Sequence, residues 1–120
     1  MGQACFYREN RKDRQEREVF LSDRMAKDGG QMLFCIRPMS QRENEEIWLR
    51  CDKDEKRYEG AVLAESVVFP DLKDAALQNS HGVVGAERLL GRLLLAGEYD
   101  RLRMAVEEIN GGDGGCIDFI

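Results

Sequence analysis

Histidine occurs once in this chain of 120 residues, at His81, and no two of its four cysteines form a C-x-x-C pair. A lone imidazole leaves one common candidate for a general base, so a Ser or Cys nucleophile with a histidine partner has little to be built from. His81 stands in Asn79-Ser80-His81-Gly82, a polar helix-stop sequence, and reads as a loop residue. The cysteines, Cys5, Cys35, Cys51 and Cys116, are scattered with no histidine nearby, so no zinc site and no other cofactor is expected. Cys35 and Cys51 read as small core hydrophobes with reduced thiols. No apolar run approaches the roughly 20 residues that span a bilayer, and charges stand where a signal peptide needs its apolar segment. A membrane partner is not expected.

The glycine clusters Gly82-Val83-Val84-Gly85 and Gly111 to Gly115 lack the Lys-Ser/Thr that completes a phosphate-binding loop. Carboxylate pairs such as Glu45-Glu46, Glu65 with Asp71, and Glu107-Glu108 are abundant, but no spacing selects one pair for acid/base work. An enzyme is therefore not the expected class. Acidic residues outnumber basic ones by 23 to 18, giving a net charge of -5. Binding built on phosphate neutralisation needs the opposite balance or a basic stripe, so nucleic acid is not an expected partner. The one basic cluster, Arg8, Arg11, Lys12, Arg14 and Arg17, is interleaved with Glu9, Asp13, Glu16 and Glu18 and reads as a solvated mixed-charge arm.

What is present is hydrophobic patterning for one small domain. Residues 1–17 show no sustained period and are read as a flexible charged arm, with the domain proper over 18–111 and a flexible Gly-rich tail over 112–120. Val19-Phe20-Leu21 and Met32 to Ile36 flank Lys27-Asp28-Gly29-Gly30, a β-hairpin signal, and Pro38 ends the second strand. Ser40-Gln41-Arg42-Glu43 fits a capping box, followed by Asn44, Ile47, Trp48 and Cys51 at helical spacing.

A second helix is expected from about Lys56 to Val68, turning Tyr58, Ala61, Val62, Glu65 and Phe69 to one side and ending before Pro70. Trp48, Tyr58 and Phe69 are assigned to the core. Asp71 is placed to cap a short segment through Leu77. Gly85 precedes a Leu-rich helix carrying Leu89, Leu90, Leu93 and Leu94, which Gly97 is expected to terminate, and a last helix runs from Glu98 to Ile109 before Asn110-Gly111-Gly112. The expected fold is α+β, predominantly α-helical, with an N-terminal β-hairpin followed by four to five helices.

These landmarks carry a resemblance. Phe34-Cys35-Ile36-Arg37-Pro38-Met39-Ser40, Phe69-Pro70-Asp71-Leu72, Gly85-Ala86-Glu87, Leu93-Leu94-Leu95-Ala96-Gly97-Glu98-Tyr99-Asp100 and Ile109-Asn110-Gly111, in this order, resemble the XkdN-like phage tail assembly chaperone family. The N-terminal arm, rich in Arg and Glu, and the closing Cys116-Ile117-Asp118-Phe119-Ile120 depart from the family pattern.

The resemblance implies a non-catalytic protein of the host bacterial cytoplasm. Its implied partner is the tape measure protein, kept soluble until tail tube subunits polymerise around it. The competing reading is a structural tail or neck component retained in the virion; a small regulatory or host-interaction protein draws only on the charged arm. The Leu-rich patch holds more apolar positions than one core-facing stripe requires. Exposed members of the set Leu90, Leu94, Leu95 and Tyr99 are therefore the expected self-association or client contacts.

Overall fold

The computed structural model describes residues 2–10, 15–24 and 32–111. The expected hairpin turn at Lys27 to Gly30, the tail 112–120 and the basic residues Arg11, Lys12 and Arg14 lie outside the described residues. Two short 3-10 turns, Gln3–Phe6 and Arg8–Asn10, precede the strands. β1 (Arg17–Ser22) pairs antiparallel with β2 (Met32–Ile36), with a bulge between Phe20 and Ser22. Helices α1 (Gln41–Arg50) and α2 (Glu55–Ser66) follow, then β3 (Val67–Phe69), α3 (Ala75–Ser80), α4 (Ala86–Leu93) and α5 (Ala96–Ile109). The fold is α+β and mostly helical, with one three-stranded sheet in the order β1-β2-β3.

The capping box at α1 forms as read: Ser40 Oγ accepts from the Glu43 N–H at 3.2 Å, and the Glu43 carboxylate accepts from the Ser40 N–H at 3.4 Å. Arg37 donates to Glu43 at 2.9 Å and holds its pKa below the usual carboxylate value. α1 buries Asn44 and Ile47, and Cys51 closes it at 4% exposure. Trp48 is half-buried and meets the Tyr58 ring edge-on, centroids 5.1 Å apart, while the Tyr58 hydroxyl donates to buried Asn44 Oδ1.

The third strand was not legible as such. Val67, Val68 and Phe69 look like the end of α2, yet they peel off as a strand on β2, pairing Val67 with Ile36 and Phe69 with Cys35. Two physical facts favour this. Pro70 bars helical geometry at Phe69, and two valines followed by an aromatic fit a pleated surface. The Arg37 N–H also donates to Ser66 O at 2.9 Å, so pairing starts where the helix stops.

The change of element turns Phe69 outward, and its assignment to the core is wrong: it is 63% exposed. Tyr58, at 5%, is core as expected. α3 is capped by Asp74, whose carboxylate accepts from the Ala76 N–H at 3.0 Å, and not by Asp71, which closes the preceding turn through the Lys73 N–H. Gln78 then ties this region together, donating to Leu72 O and accepting from the Gly85 N–H. Gly85, at φ 105°, opens α4 in a conformation that only glycine adopts without strain.

Nor does Gly97 end a helix. α4 stops at Leu93, and Gly97 lies in the first turn of α5. The core gathers Leu21, Phe34 and Ile36 from the sheet with Val62, Leu63, Leu89, Leu90, Leu102, Val106 and Ile109 from the helices.

Tyr58→Ala is expected to lower stability by about 3–5 kcal/mol and Phe69→Ala by less than about 1 kcal/mol, because only the first leaves a cavity. Urea unfolding curves of the two variants check this contrast.

Candidate functional site

The α4–α5 joint is held by one carboxylate. Leucine at the α5 N-cap, Leu95, has no side-chain acceptor, so the joint takes its polar closure from Glu98, which reaches back to the Leu95 N–H at 2.7 Å. Glu98 is buried at 3% exposure. It also accepts from Arg24 at 2.7 and 3.1 Å and from the Ser22 hydroxyl, all at the far end of β1. Arg24 spends a further donor on Leu93 O at 2.8 Å, so one guanidinium bridges the end of α4 and the start of α5.

The hydrogen bond from Arg24 is the chief reason that the Glu98 pKa falls to about 2, against the opposing effect of burial; Ser22 and the Leu95 N–H add to it. Arg101 extends the same attachment, donating to Leu21 O at 2.9 Å. On the far side of α5, Arg103 pairs with Asp100 at 2.6 Å and with buried Glu107 at 3.1 Å, and lies 3.8 Å from Glu59 of α2.

Packing around this joint sorts the leucines. Leu90 and Leu94, two of the four expected contact residues, are core at 1% and 8% exposure. Leu95 is 57% exposed at the apex of the joint. Tyr99, one turn further along α5, is half-buried; burial first, then the Glu59 and Glu87 carboxylates, push its pKa up. The candidate surface thus narrows to Leu95 and Tyr99 beside two acidic side chains.

A second exposed apolar surface was not singled out from the sequence. It is the sheet face away from the helices, where Phe20, Leu33, Cys35 and Phe69 lie. The available signal was that Met32 to Ile36 is apolar at all five positions, leaving no parity for a solvated face. Burial, then the neighbouring Glu16 and Glu18, push the Cys35 thiol pKa up, which keeps it protonated. His81 closes α3 as its C-cap and is half-buried. Among the described residues, no group of three or more His, Cys, Asp or Glu could hold a metal ion. No described helix is long and apolar enough to cross a membrane.

The geometry defines a small α+β domain with exposed apolar side chains on a closed core. The chain belongs to the phage XkdN-like tail assembly chaperone protein family, whose profile matches residues 4–118. In fold it is similar to the crystal structure of the protein yqbn, a structural-genomics target, with a TM-score of 0.82 over 94% of this chain and 98% of that one, at 24% identity. Comparison with curated proteins finds no match.

Glu98→Gln tests the clamp. A carboxyl whose folded pKa is depressed contributes stability that is fully present above its unfolded value near 4.5 and is lost as pH falls from there toward about 2. The native protein is therefore expected to lose stability across that window. The variant should be less stable than the native chain at pH 7 and show a flatter acid limb, read by thermal melts between pH 7 and pH 2.

Proposed function

We propose that this chain binds the tape measure protein and keeps it soluble in the host bacterial cytoplasm until tail tube subunits assemble around it, with no bond made or broken. The observation that carries the reading is the family match over residues 4–118. Its physical support is the pairing of a complete core with apolar side chains left outside it.

Leu95 projects from a joint pinned by Glu98 and Arg24, and Tyr99 flanks it, so an apolar contact is offered by a rigid mount. An extended helical client exposes repeated apolar faces. Small domains cover such faces by many weak contacts whose combined strength comes from their number. With Glu59 facing Arg103, the acidic neighbour Glu87 favours a client segment with a basic residue beside its apolar stripe.

Co-expression with a tape measure protein tests this function. A soluble complex holding several copies of this chain per client is the expected result. Aggregation of the client as in the absence of this chain would overturn it, and finding this chain in purified virions would favour the retained tail or neck component. Leu95→Glu, at an exposed position, should leave stability within about 0.5 kcal/mol of the native chain while lowering recovery of soluble client, compared by melting and pull-down on the same preparations.

A further inference from the structure

The outer sheet face is continuous. Phe20 is paired with Leu33 across β1 and β2, Cys35 with Phe69 across β2 and β3, and Leu33 and Cys35 lie two apart on β2. Pairing and alternation put Phe20, Leu33 and Cys35 on one face. Across the register shift between Cys35 and Ile36, Phe69 joins them as the exposed partner of Cys35, so the four make one apolar band over three strands. Phe69 is 63% exposed and Phe20 50%. The border of the band is acidic. Glu16 Oε1 accepts from Cys35 Sγ at 3.7 Å, and Glu18 is the cross-strand neighbour of Cys35. Among the described residues neither carboxylate has a basic partner: Arg17 is engaged by Glu108 at 3.3 Å and Arg37 by Glu43 at 2.9 Å.

The segment 2–10 has the complementary chemistry. Phe6 is 82% exposed, Tyr7 is 56% exposed, and Arg8 beside them is exposed as well. Tyr7 is extended, at φ -66° and ψ 147°, and Arg8 opens the next 3-10 turn. In such a turn the neighbouring Glu9 is rotated about 120° from Arg8, so the guanidinium can face an acidic border without it. Both surfaces stand open at once within a single chain.

We infer that the segment 2–10 of one copy docks on the outer sheet face of the next, seating Phe6 and Tyr7 on the band of Phe20, Leu33 and Phe69 and placing Arg8 against Glu16 and Glu18. Two outer faces packed directly on each other would bring four carboxylates together without a cation, which opposes a sheet-to-sheet pair. Arm on face pairs those charges instead. Each copy then has one donor segment and one acceptor face, so association is head-to-tail and builds rows or rings. The contact is independent of the identity of the client.

Sedimentation velocity of the whole chain, alone and over a range of concentrations, tests this. Mass should rise with concentration. Phe6→Ser with Tyr7→Ser, and separately Phe20→Thr with Phe69→Thr, should each weaken association at least about tenfold, as loss of central aromatic anchors does. Mixing the two variants should give a one-to-one dimer and nothing larger, because one supplies an intact face and the other an intact arm. Arg8→Glu and Glu18→Arg should each weaken association, and combining them in one chain should restore it. Both positions are exposed, so the charge swap carries the test even where a face variant fails to fold. A chain monomeric throughout would overturn the inference, whether because the arm docks on its own face or because the face binds something else. So would association untouched by the arm variant, or a mixture that forms no dimer.

Discussion

Helix α2 is covered on nearly every side, and the rest of the molecule is arranged around that burial. Ala61, Val62, Leu63, Ala64 and Ser66 are all buried, against α1, α4, α5 and β3. A helix that is apolar on more than one side must be enclosed, which draws the other helices around it and leaves none for the second face of the sheet. Its last polar group is satisfied internally, Ser66 Oγ donating to Val62 O at 2.8 Å. The outward sheet face and the inward helix cage are two results of the same constraint.

Closure of the domain rests on a polar contact between its ends. Ser22 and Arg24 at the end of β1 meet Glu98 at the start of α5, 76 and 74 residues away. A buried carboxylate is costly unless its lone pairs are taken, and here Arg24, Ser22 and the Leu95 N–H take them. The same network orients the α4–α5 joint, so the exposure of Leu95 depends on it. The clamp thus leaves an apolar side chain outside the core without loosening the core beside it.

Local signals carried much of the fold. The hairpin strands, the Ser40 capping box, the Gly85 start of α4 and the Asn110-Gly111 stop of α5 were legible because each depends on residues within one turn or one pairing. The errors lie where distant chain decides. Val67 to Phe69 becomes strand because β2 offers an edge to pair with, and Phe69 then faces outward. Gly97 sits inside α5 because Glu98, occupied by Arg24, starts that helix two residues earlier than expected.

The candidate contact set shows the same division. Leu90, Leu94, Leu95 and Tyr99 look alike as sequence, since all fall on a Leu-rich stretch of helical period. Where α4 packs on α2 and the chain turns into α5, Leu90 and Leu94 are buried and Leu95 is left outside. Composition and period thus determined the class of fold, the order of most elements and the family resemblance, because these follow from backbone preferences and apolar spacing along the chain. Which apolar side chains face solvent was decided only by the tertiary structure, because exposure depends on the neighbour that covers a residue, and that neighbour is set by three-dimensional packing.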